Sequence, residues 1–122
     1  MARVLIADSD PVVREAATVA LQPHTVLTAS DEARTLAEIG RNRPDVAVLG
    51  RFQGKPCCAE TCIRIRNDPR LGRIPILMLC PSPKGGQDSC RCRGDRRLVR
   101  PFRGRDLAIQ VDGLLNPRLP LD

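Results

Sequence analysis

The chain has 122 residues, enough for one domain with a modest core, and its 42% hydrophobic and 28% charged residues are typical of a soluble globular protein. Its net charge of +6 suits an acidic protein or a nucleic acid as partner. Its only aromatic residues are Phe52 and Phe102, too few to stack nucleic-acid bases, so we expect a protein partner and no direct nucleic-acid binding. No apolar run is long enough for a signal peptide or a membrane span, so we expect a cytoplasmic protein without membrane association.

Apolar runs alternate with amphipathic stretches along the chain. Short continuous runs predict strands buried on both faces, at residues 4–7, 24–29, 44–50, 74–79 and 97–99. Helices are predicted from Pro11, from Ser30, over 58–66 and over 106–115, with Asp10 and Ser30 as N-caps. The buried face of the first helix is predicted to comprise Val12, Val13, Ala16, Val19 and Ala20. Strands separated by helices predict a doubly wound α/β domain with a five-stranded parallel sheet, over residues 1–116, followed by a proline-rich tail at 117–122.

Several turns of this predicted domain carry a distinctive set of residues. Asp8-Ser9-Asp10-Pro11 follows the first strand, and Asn67-Asp68-Pro69-Arg70-Leu71 follows the third helix. Leu98-Val99-Arg100-Pro101-Phe102 includes the end of the fifth strand, and residues 43–49 lead into Gly50. In this order the segments resemble the receiver domains of response regulators, over roughly residues 3–115. The resemblance implies the flavodoxin-like (CheY-like) fold.

The resemblance also implies a phosphorylation pocket, and every part of it is altered here. Gly50 stands in place of the aspartate that accepts the phosphoryl group. Asp8 matches the first of two acidic residues that help to hold Mg²⁺, but Ser9 takes the place of the second. Cys80 replaces a hydroxyl residue, and Arg100 replaces a lysine. We therefore expect a degenerate pseudo-receiver that is not phosphorylated, has no cofactor or resident metal and is not an enzyme.

Asp8 and Arg100 would lie close together in a receiver fold, at the ends of the first and fifth strands. A direct ion pair between these two side chains could substitute for the metal. We predict that Arg100 occupies the volume where metal and phosphate usually sit, with its guanidinium directed at Asp8.

The six cysteines are the second unusual feature of the chain. In a receiver fold they would gather around the third and fourth helices, and Cys58 and Cys62 have a spacing that places both on one helix face. No Cys-x-x-Cys pair occurs, so we prefer apolar filling of the core, with all six thiols reduced and well under one equivalent of zinc. A redox switch or a thiolate metal site is the alternative, with the candidates Cys57, Cys58, Cys62, Cys90 and Cys92.

The segment 81–94 corresponds to the fourth helix of a receiver, but its prolines and glycines predict a short or disordered helix. Arginines cluster around it, and Arg97 stands where receivers carry a switching aromatic residue. We call these residues the arginine-rich edge and predict that they bind an acidic protein partner: Arg91, Arg93, Arg96, Arg97, Arg103 and Arg105. A solvated charged edge without a partner is the alternative, and a homodimer is also open.

Together these features predict a bacterial two-component signalling module that acts through protein–protein contact without aspartyl phosphorylation. Two alternatives stay open at this point. One is a cysteine-based redox or metal-responsive sensor on the receiver scaffold, and the other is a conventional phosphorelay member with an atypical acceptor.

Overall fold

The structure, a computed structural model, describes residues 2–55, 58–81 and 94–116. Strands and helices alternate along these residues. In chain order they are β1 (Arg3–Ala7), α1 (Pro11–Ala20), β2 (Thr25–Ala29), α2 (Glu32–Asn42), β3 (Val46–Leu49), α3 (Ala59–Asn67), β4 (Ile76–Cys80), β5 (Arg96–Val99) and α4 (Gly104–Leu115).

The five strands form one parallel sheet in the order β2-β1-β3-β4-β5. This is the strand order of doubly wound flavodoxin-like domains, so the predicted fold is confirmed. The prediction of a short or disordered fourth receiver helix concerns residues that are mostly outside the described ones, as are residues 117–122. Because all the strand pairs are parallel, the five strands end at the same edge of the sheet, which we call the carboxyl end. They begin at the opposite edge, which we call the amino end.

Each face of the sheet has its own apolar core, because successive side chains of a strand point to opposite faces. In β1, Leu5 and Ala7 belong to a cluster that includes side chains of α2 and α3, whereas Val4 and Ile6 belong to a cluster that includes side chains of α1 and α4. All four of these residues are fully buried. The buried core is mainly aliphatic and contains no buried aromatic side chain among the described residues.

The helix caps show where the sequence pattern was correct and where it was wrong. Asp10 caps α1 as predicted, because its Oδ1 accepts a hydrogen bond from Val12 N at 2.9 Å. The prediction of Ser30 as the cap of α2 was wrong, because Asp31 accepts from Arg34 N at 2.7 Å. The predicted strand and helix ends differ from the observed ones by about one or two residues in most elements.

The predicted buried face of α1 was partly wrong. Val13 and Ala20 pack on the core, but Ala16 is exposed, Val12 is 69% exposed and Val19 is 63% exposed. Ala17, which was not predicted, is the buried centre of the helix. The helix is therefore rotated so that Val12 and Val19 lie on its open side. None of the described helices is both long and apolar enough to cross a bilayer.

Candidate functional site

The predicted pocket residues are brought together at the carboxyl end of the sheet. Gly50 N donates to Ala7 O at 2.7 Å, which continues the β1–β3 ladder and places Gly50 beside Asp8. Arg100 N donates to Cys80 O at 3.0 Å, which continues the β4–β5 ladder and places Arg100 beside Cys80. The parallel register thus gathers residues from four different strand ends into one site.

Asp8 is the buried centre of this site, with 2% of its surface exposed. Its Oδ1 accepts a hydrogen bond from Asp10 N at 2.8 Å, and its Oδ2 accepts one from Arg51 N at 3.0 Å. Arg100 Nη2 lies 3.3 Å from the same Oδ2. A buried carboxylate is stable only when its charge and its acceptors are satisfied, and here both oxygens have donors.

Gly50 leaves space that the Asp8 carboxylate uses. A β-carbon built on Gly50 would collide with Asp8 Oδ2 and would lie 2.8 Å from Asp8 Cγ. Any side chain at this position therefore requires Asp8 to move away from its donors. The glycine and the carboxylate are complementary in shape, and the volume beside position 50 is filled by another residue of the same chain.

The predicted ion pair between Arg100 and Asp8 is confirmed by the 3.3 Å distance between Nη2 and Oδ2. The Arg100 side chain is 21% exposed, and its guanidinium carbon lies 5.8 Å from the centroid of the Phe102 ring. Its Nε is buried and has no hydrogen-bond partner among the residues that the structure describes. Arg100 is therefore held by one carboxylate and one aromatic face.

The residues at this site do not fit a Mg²⁺ ion. Mg²⁺ needs several oxygen ligands in octahedral geometry, and usually at least one free carboxylate. Asp8 is already engaged by main-chain N–H groups and by a guanidinium, and Gly50 contributes no oxygen beyond its main chain. Ser9 Oγ donates to Arg51 O at 3.1 Å, which turns the hydroxyl toward the loop after β3. A cation here would have to compete with Arg100 for the same carboxylate oxygen.

The cysteines that the structure describes lie in the core and not on the surface. Cys58, Cys62 and Cys80 are all buried in the cluster between the sheet and helices α2 and α3. Across residues 2–55, 58–81 and 94–116, no group of three or more His, Cys, Asp or Glu side chains is placed to hold a metal ion. The remaining candidates Cys57, Cys90 and Cys92 lie outside the described residues.

The arginine-rich edge is only partly an open surface. Arg91 and Arg93 lie outside the described residues. Arg96 is half-buried and donates from Nη1 to Gln110 Oε1 at 3.3 Å, so part of its hydrogen-bonding capacity is used inside the protein. Among the described arginines of this edge, the exposed ones are Arg97, Arg103 and Arg105.

Two arginines contribute to the site without having been predicted. Arg51 supplies the N–H that binds Asp8, and Arg14 Nη1 donates to the main-chain oxygen of Asp8 at 2.8 Å. Their sequence positions carried a weak signal, since Arg51 follows Gly50 and Arg14 lies one turn beyond the cap of α1. The role of Arg51 is not readable from the pattern, because its main-chain N–H donates whatever its side chain is. The role of Arg14 is not readable either, because its side-chain contact depends on how α1 packs against the end of β1.

An apolar groove of about 410 Å³ adjoins the site, between α1 and the start of α4. Val12 and Ala16 form one wall, Phe102 forms part of the other, and Arg100 lies at the end shared with the pocket. The exposed Val12 side chain, which the helical pattern assigned to the core, is therefore part of an open surface next to the pocket.

Comparison with known proteins gave the following similarities. No family model matches the chain. The DNA-binding dual master transcriptional regulator RpaA of Synechocystis sp. is 30% identical, in an alignment that covers 94% of this chain but 49% of that protein. The chain therefore spans about half the length of this curated relative.

Solved structures resemble the chain over almost its whole length. The chemotaxis response regulator CheY4 of Vibrio cholerae is 26% identical, with a TM-score of 0.77 over 94% of this chain and 99% of that one. The signal receiver domain of a signal transduction histidine kinase from Syntrophus aciditrophicus has a TM-score of 0.84 over 100% of this chain and 96% of that one. The latter is only 19% identical, so it supports the fold and nothing further.

Proposed function

We propose that this receiver (CheY-like) domain of the response-regulator type is a signalling module that works as a permanent binding surface and is not switched by aspartyl phosphorylation. The observation that carries the proposal is the overlap between Asp8 and the space beside Gly50. A phosphoryl acceptor at position 50 needs a side chain. In this protein the space for that side chain is occupied by the Asp8 carboxylate, which is already hydrogen-bonded.

The ion pair at the pocket supports the same proposal. In a working receiver, binding of phosphate and metal supplies new charge interactions that shift the domain between two conformations. Here Arg100 and Asp8 already interact, and this ion pair joins the ends of β5 and β1. We infer that the ion pair holds the carboxyl end of the sheet in one conformation. The domain then presents the same surface at all times.

We place the partner surface on the exposed part of the arginine-rich edge, which is represented among the described residues by Arg97, Arg103 and Arg105. An acidic protein is the complementary partner, since opposite charges accelerate the encounter of two proteins. The groove beside α1 is the next candidate surface, because it shares Arg100 with the pocket. We further propose a cytoplasmic location and a role without enzymatic activity.

The relative from Synechocystis is described as DNA-binding, but the chain covers only 49% of it. DNA binding therefore does not pass to this chain. A role as one module of a larger regulator is compatible with the proposal, and a direct nucleic-acid contact is not part of it.

The first test is chemical. The protein is incubated with acetyl phosphate and Mg²⁺, and intact mass spectrometry measures any added phosphoryl group. A variant with the receiver pattern restored (Ser9→Asp, Gly50→Asp, Cys80→Thr and Arg100→Lys) serves as the positive control. We expect no adduct on the wild-type protein, and a stable phosphoryl adduct on any of its pocket residues would refute the proposal.

The second test concerns the surface. Candidate partners from two-component pathways are measured against the wild type and against Arg97→Glu, Arg103→Glu and Arg105→Glu combined. The matched control reverses Arg34, Arg41 and Arg73, which are exposed on α2 and on the loop before β4. We expect weaker binding for the edge variant only, and weaker wild-type binding as ionic strength rises. Equal losses of binding affinity in both variants would show that the partner surface does not lie on this edge.

A further inference from the structure

A second pocket lies at the amino end of the sheet, on the opposite side from Gly50. It has a volume of about 190 Å³ and lies between the end of α2 and the loop that precedes β4. We call it the amino-end pocket. The residues that carry its chemistry are Arg43, Arg70, Arg73, Ile39, Leu71 and Ile74.

Local backbone geometry directs an arginine to this pocket. Arg43 ends α2 in a left-handed conformation with φ of 46°, which is uncommon for a residue other than glycine. Its N–H donates to Ile39 O at 3.1 Å, and its Nη1 donates to Arg70 O at 2.9 Å. The guanidinium of Arg43 thus bridges the end of α2 and the loop before β4, so one cationic wall of the pocket is held in place.

The positive charge of the pocket exceeds the negative charge around it. Asp68 pairs with Arg70, whose Nη2 lies 3.3 Å from Asp68 Oδ2. Over the described parts of the chain, no carboxylate lies within ion-pair distance of Arg43 or Arg73. Two guanidiniums at this pocket therefore have no compensating carboxylate among the described residues, in contrast to Arg100 at the other end of the sheet.

The floor of the pocket is apolar. Ile39 is 2% exposed and Leu71 is 9% exposed, and both belong to the core between the sheet and α2 and α3. Ile74 packs against the same core. A ligand that fits such a pocket has an anionic group for the guanidiniums and a compact apolar part for the floor.

We propose that the amino-end pocket binds a small organic anion, either a phosphate monoester or a carboxylate attached to a compact apolar group. Arginine suits this ligand because its planar guanidinium can donate two parallel hydrogen bonds to a phosphate or carboxylate. The pocket and the carboxyl-end site are separated by the length of β3 and β4, which is about 13–17 Å for strands of four or five residues. The site is therefore independent of the proposed function.

Phenyl phosphate is a suitable probe because it combines both features in a small molecule. We would titrate it into labelled protein and follow backbone amide shifts by NMR, with inorganic phosphate and phenol as separate arms. We expect saturable shifts at Arg43, Leu71 and Arg73, with a dissociation constant on the order of 1 mM for a ligand of this size. Inorganic phosphate should bind at least threefold more weakly, and phenol should not bind measurably.

The variants separate this pocket from general positive charge. Arg43→Gln with Arg73→Gln should weaken phenyl phosphate binding at least fivefold. Arg73→Gln alone, which leaves the α2 end intact, should weaken it at least twofold. The control, Arg34→Gln with Arg105→Gln, removes the same net charge from exposed positions that do not line the pocket and should leave the binding unchanged.

Three results would overturn the proposal: shifts that do not saturate at these residues, equal weakening in the pocket and control variants, or inorganic phosphate binding as tightly as phenyl phosphate. The last would mean that the apolar floor is not used. None of them bears on phosphorylation at the carboxyl end, which the mass-spectrometry test addresses.

Discussion

The two ends of the sheet differ in whether their charged side chains have partners within the protein. At the carboxyl end, one buried carboxylate is surrounded by two main-chain N–H groups and one guanidinium, so its charge is compensated inside the protein. At the amino end, Arg43 and Arg73 face a pocket with no carboxylate partner in the described parts of the chain. The charge at the first end is neutralised by groups of the protein itself, whereas the guanidiniums at the second are available to the anionic ligand that we propose.

This contrast indicates where change should be costly and where it should be tolerated. A buried ion that loses its partner leaves an uncompensated charge in a low-dielectric interior, which destabilises the fold. An exposed guanidinium is solvated by water with or without a partner, so its removal alters binding more than stability. Because the chain has no Trp or Tyr, unfolding is best followed by far-UV circular dichroism in urea.

The largest expected effect comes from Gly50→Ala at the carboxyl end. The new methyl group would displace the Asp8 carboxylate from its donors, and overpacking together with lost hydrogen bonds should lower the free energy of unfolding by about 3 kcal/mol. Gly40→Ala is the matched control. It lies inside α2 with Leu71 Cδ2 at 3.9 Å as its nearest neighbour, so it should stabilise by about 0.5–1 kcal/mol.

A double substitution sharpens this result. If the clash with Asp8 is the cause, Asp8→Ala combined with Gly50→Ala should be less destabilised than the sum of the two single variants. Additive effects would show that Gly50 matters for another reason, such as its backbone.

The second effect concerns the ion pair. Arg100→Met should lower the free energy of unfolding by about 2 kcal/mol, because Asp8 stays buried but keeps only its main-chain donors. The matched control is Arg103→Met, at a residue whose side chain is 73% exposed, which should change stability by under about 0.5 kcal/mol. A loss for Arg100→Met as small as that of the control would show that the pair does not hold the strand ends together.

The third effect tests what determines the loss of stability when an arginine is replaced: its hydrogen-bond partners or its position along the sheet. Arg66 lies near the amino end but donates to Gly72 O, Ile74 O and an oxygen of Asp95. Arg66→Met should therefore cost about 1.5 kcal/mol in urea unfolding, whereas Arg73→Met should stay within about 0.5 kcal/mol. Equal losses of unfolding free energy in the two variants would show that the internal hydrogen bonds of Arg66 do not stabilise the fold.

The smallest effect is a pH dependence at the rim of the amino-end pocket. The hydrogen bond from Arg70 lowers the pKa of Asp68 below its ordinary value of 3.8. A depressed pKa in the folded state adds stability above the ordinary value, and this stability is lost as the pH falls through the folded-state value. Arg70→Gln should thus be slightly less stable than the wild type at pH 7, and the difference should vanish in acid. A difference that grows below pH 3.8 would contradict this assignment.

Several features of the protein could be predicted from its sequence because they depend on local pattern. Continuous apolar runs such as Val4–Ala7 are typical of strands buried on both faces, and their alternation with helices indicates a parallel sheet. Gly50 has no side chain to phosphorylate in any structure. The charge pair of Asp8 and Arg100 was predicted through the resemblance to receivers, although the two residues are 92 positions apart.

The tertiary structure decided what depends on distant residues and on the rotation of helices. The rotation of α1, which leaves Val12 in the open groove, follows from how Ala17 packs on the sheet and not from the helical period, which several faces satisfy. The space that Asp8 takes beside Gly50 depends on the ladder between β1 and β3.

The amino-end pocket likewise exists only in the folded chain. Arg43 and Arg70 are 27 positions apart, and one lies at a helix end while the other lies in a loop. No sequence period links them, because a pocket between two connections is formed by the packing of the elements that the connections join. Local pattern determined which elements form in this protein, and packing determined which charges meet a partner inside it and which remain open to solvent.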